Sequence, residues 1–431
     1  MTLLAIASFA ALIALIVFGI PIGLSLLTVG VVGLLSLGNV SAALTQVTLI
    51  FWEQGNSFLL ISLPFYILMG GLINHTGIAS NLYRCASLWL SWLPGGLGIA
   101  SVMACAGFGA VSGSSTATAR TMGAIVIPQM LRHGYGERLS TGVISASGTL
   151  GILIPPSIIL VFYGIMTETS IGSLFVAGII PGLIIAVIFS VIVLGTALIA
   201  PEQAGRDTPS EAVTWAERFR SLTHVLPVIA IFGIILGGLY AGVFTPTEAS
   251  AFGVFSVLIY GFLSGKLTWR AVRLALEDAT LTTTVLFVII IGGHLFTRFL
   301  VQTGMMGTLL DWIVMLDLEY WQFILAITVF YLILGCILDL FGMLILTVPM
   351  LFPVTQQMGI DPVWFGIYIV VIAEVALITP PLGVNVYVIQ SVARDVPIGK
   401  IFGGCMPFVI GMLLFVGLLA VYPEITLFLI R

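Results

Sequence analysis

Apolar residues fill most of the chain in runs separated by short polar clusters, and the lengths of those runs carry the first reading. A helix needs about 20 apolar residues to cross a bilayer. Residues 3–20, 22–37, 58–73, 175–200, 226–243, 249–263, 281–299 and 398–421 read as spans. Residues 40–55, with Trp52 and Glu53, and 81–92, with Arg84, Trp89 and Trp92, are amphipathic and predict interfacial helices. Lys266, Arg270 and Arg273 mark a further surface helix. Two stretches keep their apolar character around a small polar or acidic centre. Residues 97–130 pass through Val111-Ser-Gly-Ser-Ser-Thr-Ala-Thr118. Neither arm reaches a crossing length, so a re-entrant hairpin with its tip at 112–115 is favoured over two ordinary spans joined by a turn. Residues 331–353 repeat the pattern with a tip near 338–342, after a segment (305–329) interrupted by Asp311, Asp317 and Glu319.

Two further spans are broken in the middle. Residues 139–166 total about 28, enough for one crossing, but they contain Gly148-Thr-Leu-Gly-Ile-Leu-Ile-Pro-Pro-Ser157. Consecutive prolines remove two backbone donors and clash with the preceding turn, so the helix must break there. Residues 363–392 contain a second such break, Glu374-Val-Ala-Leu-Ile-Thr-Pro-Pro-Leu-Gly-Val-Asn385. The neighbours match as well. Pro128, Gly134 and Pro155 recur as Pro353, Gly359 and Pro380, all at one offset of 225 residues. A broken helix exposes carbonyls that hydrocarbon cannot satisfy, so it is tolerated where protein, water or an ion does so. Repeats that each contain such a break point to a secondary transporter with its site at the repeat interface.

Loop charge sets the relative direction of the repeats. The loop after the first hairpin carries Arg132 and Arg138, whereas its counterpart, 354–362, has no basic residue. After the broken helices the bias reverses: 167–172 has none, and Arg394 and Lys400 flank the second. By the positive-inside rule the repeats are inverted, the first hairpin opening to the cytoplasm, with Arg431 at an outer C-terminus as the one dissenting charge. Composition agrees with a polytopic membrane protein. With 60% hydrophobic and 7% charged residues, the charges are too few to cover a soluble globule of this size. Cys85, Cys105, Cys336 and Cys405 are widely spaced in apolar segments and read as small buried hydrophobes. Residues 3–18 follow no Lys or Arg and read as a retained span rather than a cleaved signal. No nucleotide-binding loop is present, so the energy must come from an ion gradient or another chain. Nothing points to nucleic acid.

Hairpin tips and helix breaks bring carbonyls and half-helix ends to mid-membrane, where oxygens suit Na⁺ and helix N-termini suit a carboxylate. The first set of candidate Na⁺ ligands is Gly109, Ser112, Ser115, Gly151, Ile154 and Pro156. The second is Gly335, Leu338, Asp339, Ala376, Thr379 and Leu382. Most would act through carbonyls, and each Ser or Thr alone has back-bonding to its own helix as the plainer explanation. Arg120, Arg298 and Asn385 are candidates for the substrate, against snorkelling or backbone satisfaction. Asp339, a candidate for the cation, has helix capping as its alternative, and Glu374, a candidate by its place in an apolar span, has a buried structural acid as its own. His75, His133, His224 and His294 form no spacing motif.

Ser112-Gly-Ser-Ser-Thr-Ala-Thr, Gly148-Thr-Leu-Gly-Ile-Leu-Ile-Pro-Pro-Ser, Cys336-Ile-Leu-Asp-Leu-Phe-Gly-Met and Thr379-Pro-Pro-Leu-Gly-Val-Asn stand in an order that resembles the large membrane subunit of tripartite ATP-independent periplasmic (TRAP) transporters. The resemblance covers nearly the whole chain. It implies an all-α polytopic fold of inverted repeats, with two re-entrant hairpins and two Pro-Pro broken helices, working as an elevator of the ion transporter superfamily kind. It implies no resident cofactor, Na⁺ as coupling ion, and Na⁺ sites at the tips and breaks. The implied partners are a small membrane subunit of about four spans, a periplasmic binding protein delivering an organic acid, and the lipid of a bacterial cytoplasmic membrane. Two departures stand out: Gly109 where Ser is expected, and Arg120 beyond the Ser-rich tip. A carbonyl ligand survives the first change; a hydroxyl would not.

These readings divide the chain into scaffold spans (1–93), a first transport repeat (94–200), a cytoplasmic linker (201–223), further scaffold spans with the surface helix (224–303) and a second transport repeat (304–431). The function expected is Na⁺-coupled import of a small carboxylate. A stand-alone dicarboxylate or citrate symporter would share the inverted repeats. An intramembrane enzyme built on Ser112 and Ser115 lacks a His or Lys base at fixed spacing. A purely structural subunit leaves two matched breaks unexplained.

Overall fold

The computed structural model describes residues 2–205, 214–305, 307, 308, 315, 318–335 and 338–431. Every regular element among them is helical. Six of these helices are long and apolar enough to cross a membrane, or seven with the first bent pair counted as one. Cys85, Cys105 and Cys405 are buried and free. Arg206 in the linker, Asp311, Asp317 and Cys336 lie outside the described residues.

The first hairpin consists of Gly96–Ser112 and Ser115–Arg132. At about 1.5 Å per residue its arms are about 25 Å long, shorter than a bilayer with its headgroups. Gly113 turns the tip with φ +64°, and Ser114 caps the second arm by accepting the N–H of Ala117 at 3.4 Å. The first broken helix follows as Glu137–Ser147, Leu150–Leu153 and Ile158–Thr167, bent by 43° at the Pro-Pro break. Ser157 restarts it by accepting the N–H of Leu160 at 3.3 Å. The second hairpin is Tyr320–Leu334 and Leu340–Gln357, and the second broken helix is Pro362–Ala376 and Val384–Val392. Asp339 caps Leu340–Gln357 by accepting the N–H of Gly342 at 3.1 Å.

The 225-residue offset is a structural repeat. Pro128 and Pro353 each lie inside the second hairpin arm. Gly134 and Gly359 each end that arm at positive φ (79° and 69°), a conformation that favours glycine. The next residues, Tyr135 and Ile360, close the same motif by donating to Met130 O at 3.0 Å and Thr355 O at 2.9 Å. Pro155–Pro156 and Pro380–Pro381 are both cis.

Contacts across the repeats establish their opposite direction. At the start of the first broken helix, Glu137 pairs with Lys400 (2.8 Å), and Arg138 donates to Gly403 O (2.9 Å), both partners lying beyond the end of the second broken helix. At the end of the first, Tyr163 donates to the carbonyl of Pro362, where the second begins (2.8 Å). Start meets end and end meets start, so the two broken helices run antiparallel. The four basic residues that set the expected inversion therefore share one end of the molecule.

Two boundaries differ from the sequence reading. The surface helix at 266–273 and the span at 281–299 form one 34-residue helix, Trp269–Gln302. No Gly or Pro stops it between them, and Arg273 pairs with Glu277 one turn on, at 2.8 Å. The first arm of the second hairpin begins at Tyr320 rather than 331, because Glu319 starts the helix in a capping box with Gln322 instead of interrupting it. Within the linker, Trp215–Leu222 is a short helix whose Glu217 accepts the N–H and hydroxyl of Thr214, which holds its carboxyl below the usual range. This helix packs its Trp215 and Phe219 against Trp89 of Ile78–Leu90.

Two groups of helices pack closely among themselves. Ile22–Ser36 lies along Trp269–Gln302, and Ser62–Asn74 packs on both that helix and Pro246–Leu263. The hairpins, the broken helices, Ile171–Ile199 and Ile398–Val421 pack on one another. Where the groups touch, glycines allow close approach, to backbone at Gly70 and to a side chain at Gly293. A Cβ on Gly70 would stand 2.6 Å from Ser112 O, and one on Gly293 would stand 2.1 Å from Ile345.

Candidate functional site

The first tip and the first break meet through residues without side chains. A Cβ on Gly109 would lie 2.5 Å from Gly151 Cα, and one on Gly151 would lie 2.6 Å from Thr118 Oγ1 and 2.9 Å from Ser114 O. Gly113 faces the carbonyl oxygen of Pro156 at 2.8 Å from where its Cβ would be. Ser112 is buried and shares a 2.7 Å hydrogen bond with Thr118. Gly109, Ser112, Gly151 and Pro156 are thus brought together. Gly109 also answers the departure at that position, since Ser there has no room for its Cβ. The Gly109 carbonyl already accepts the N–H of Gly113 at 2.9 Å, leaving its second lone pair for another partner. The side chain of Ile154 packs on Gly182, so any part it takes is through its backbone. Ser115 is buried 2% exposed and faces the other repeat, accepting from Asn385 Nδ2 at 2.5 Å.

The second tip and break approach in the same way. A Cβ on Gly335 would lie 2.1 Å from Ala376 Cβ. Leu338 is buried, whereas Asp339 reaches a cavity wall while capping its helix. Thr379 donates its hydroxyl back to Val375 O at 2.6 Å, the back-bonded arrangement, which leaves its oxygen as an acceptor. The two breaks differ in exposure. Ile154, Pro155 and Pro156 are buried, but Pro380, Pro381 and Leu382 are exposed, Leu382 by 38%.

A cavity of 740 Å³ lies between the two helix groups. It is lined by the first tip (Ser112–Ser115), by Asp339 and Leu340 of the second, and by Gly70, which packs on Ser112. Arg120, Asn74, Asp278 and Ser391 supply polar side chains to the same cavity. Arg120 is exposed there and makes no ion pair with a described residue. Two substrate candidates lie away from this cavity. Arg298 is exposed near the end of Trp269–Gln302 and does not line the cavity, as its place near a span end allowed. Asn385 does not line it either; it is fully buried as a tie between repeats. Sequence reading passed over Thr118 and Asp278. Thr118 was signalled by the Ser/Thr cluster around the first tip. Asp278 was hidden in the stretch between two elements that turn out to be one helix.

These tips, breaks and antiparallel repeats around a cavity define a polytopic membrane transporter. The comparisons place it further. Residues 9–425 match the family described as the tripartite ATP-independent periplasmic transporter, DctM component, and the chain belongs to that family. It is 35% identical to the C4-dicarboxylate TRAP transporter large permease protein DctM of Pseudomonas aeruginosa, over 87% of each chain. It is 31% identical to the sialic acid TRAP transporter large permease protein SiaM of Vibrio cholerae, over 97% of this chain and 96% of that one. In fold it is similar to the YdaH transporter of Alcanivorax borkumensis, with TM-score 0.63 and 16% identity over 89% of this chain and 88% of that one. The relatives are named as transporter permeases, and this chain is a large TRAP permease, not an enzyme.

Proposed function

We propose that the chain imports a small organic acid together with Na⁺ across a bacterial cytoplasmic membrane, as the large permease of a tripartite system. A periplasmic binding protein delivers the substrate, and a small membrane subunit of about four spans completes the permease. The observation that carries this reading is the cavity, lined by the tips of both repeats and by Arg120, which makes no ion pair with a described residue. Carboxylates are named for the dicarboxylate relative, and a guanidinium is suited to hold one. Na⁺ is favoured by the donor set, which is carbonyl and hydroxyl oxygen with the carboxylate of Asp339. Among the described residues no cluster of three His, Cys, Asp or Glu offers a site to a softer metal.

The hairpins and broken helices form the transport block, and the group around Trp269–Gln302 forms the scaffold. The block moves as an elevator, because both ion sites and Arg120 belong to it, and Gly70 and Gly293 present no side chain to it where the scaffold meets it. The loop arginines Arg132, Arg138 and Arg394 put the shared basic end in the cytoplasm.

Uptake of labelled organic acids into proteoliposomes tests this, with the partner subunits present and an inward Na⁺ gradient switched on or off. Accumulation that needs both Na⁺ and the binding protein is the expected result. Uptake that follows a proton gradient and ignores Na⁺ removes the ion sites. Uptake by this chain alone makes it a stand-alone symporter.

A further inference from the structure

Asn385 touches three elements at once. It is the second residue of the half-helix Val384–Val392 after the second break, and its backbone N–H reaches across that break to Leu377 O at 3.1 Å. Its side-chain amide donates to Ser115 Oγ at the first tip (2.5 Å) and to Ser145 O in the first broken helix (3.3 Å). Asn385 is 0% exposed, and its Oδ1 has no partner among the described residues. An unpartnered buried amide oxygen is costly, and an apolar side chain of similar shape would avoid that cost. A group retained against such a cost calls for an explanation beyond filling space.

We infer that Asn385 makes cation binding at the first tip depend on cation binding at the second break. This coupling rests on the Na⁺ reading given above. The argument follows the chain of contacts. Of the candidate ligands of the second ion, Ala376 ends the helix before the break, Thr379 and Leu382 lie on the non-helical segment that ends at Gly383, and Pro380 to Leu382 are exposed. An ion held by those carbonyls fixes the segment, and with it the Leu377–Asn385 bond and the direction of the Asn385 side chain. The amide proton occupies one lone pair of Ser115 Oγ, so the other is left aimed, with Ser112 and Thr118 nearby on the same tip. Hydrogen bonds to a ligand atom from the next shell orient it and are commonly worth 10- to 100-fold in metal affinity. Here that shell comes from the opposite repeat, which turns a local support into communication between two sites. Asn385 is a positioning residue; Ser115 is the group it positions.

The test is thermal unfolding of the purified full chain, titrated with NaCl against choline chloride at fixed ionic strength. Wild type is expected to gain Tm with Na⁺ along a curve of Hill coefficient above 1. Asn385→Leu is expected to bring the coefficient down to about 1 and raise the midpoint by roughly 10- to 100-fold. A merely structural role would lower Tm without Na⁺ and leave both quantities unmoved. Asn385→Ala reads the same quantities should the leucine variant fail to fold. Combining Asn385→Ala with Ser115→Ala should shift the midpoint no further than Ser115→Ala alone, as members of one contact are not additive. An Asn385 variant with the wild-type midpoint and coefficient overturns the coupling while leaving the Na⁺ sites standing. A wild type indifferent to Na⁺ overturns the Na⁺ reading and the coupling with it.

Discussion

A Cβ on Gly113 would stand 2.8 Å from the carbonyl oxygen of Pro156, so the first hairpin tip rests directly on the backbone of the first break. The glycine also sits at φ +64°. Gly113→Ala therefore meets two costs, about 1–2 kcal/mol for the left-handed backbone and a displacement of the tip from the break. Gly265, at φ +66° with nothing within 4 Å of its Cβ position, isolates the first cost. Gly113→Ala should lower Tm more than Gly265→Ala, and it alone should weaken the Na⁺-dependent rise in Tm.

The end of the molecule that carries the basic loops offers a contrast between packing and charge. A Cβ on Gly404 would lie 2.0 Å from Arg138 O, and one on Gly142 would lie 2.3 Å from Gly404 C, so Ile398–Val421 and Glu137–Ser147 touch backbone to backbone. Beside them the Lys400–Glu137 pair is about half exposed, at 57% and 42%. Exposed pairs contribute about 0.2–1 kcal/mol, whereas overpacking costs about 1–3 kcal/mol. Gly404→Val should destabilise the chain markedly in a denaturation series, and Lys400→Gln should scarcely move it.

Arg120 and Arg298 separate the cavity from the surface. Charged hydrogen bonds contribute about 1.5–3 kcal/mol, so Arg120→Gln should raise the KM for the organic acid by roughly tenfold or more, with a smaller change in maximal rate. Arg298→Gln, outside the cavity, should leave KM unchanged. Initial-rate uptake over a range of substrate concentrations measures both.

Much of this architecture was legible in the sequence because prolines and glycines act locally. Pro155–Pro156 and Pro380–Pro381 break a helix whatever surrounds them, and the spacing to Gly134 and Gly359 marked the repeat without any tertiary knowledge. The loop arginines gave the inversion for a similar reason, since the membrane sorts them by side. What the pattern missed depends on contacts between distant segments. The amide tie of Asn385 to Ser115, 270 residues away, leaves no local trace. Glu319 read as an interruption because a polar residue inside an apolar run looks the same whether it stops a helix or caps one. The cavity position of Asp278 required knowing that Trp269–Gln302 is continuous.

The central claim is that the hairpins and broken helices move as a block past the remaining helices. Thr121 on the first hairpin donates to Asn74 Oδ1 at 3.1 Å, and Asn74 ends a helix of the other group, so the two positions report that movement. The direct measurement is uptake by a double variant, Asn74→Cys with Thr121→Cys, bridged by a short bifunctional thiol reagent, with each single variant treated alike as a control. An elevator predicts that a bridge carrying a disulfide abolishes uptake, that its cleavage by an added thiol reductant restores it, and that the single variants keep transporting. Full uptake by the bridged protein would contradict the account.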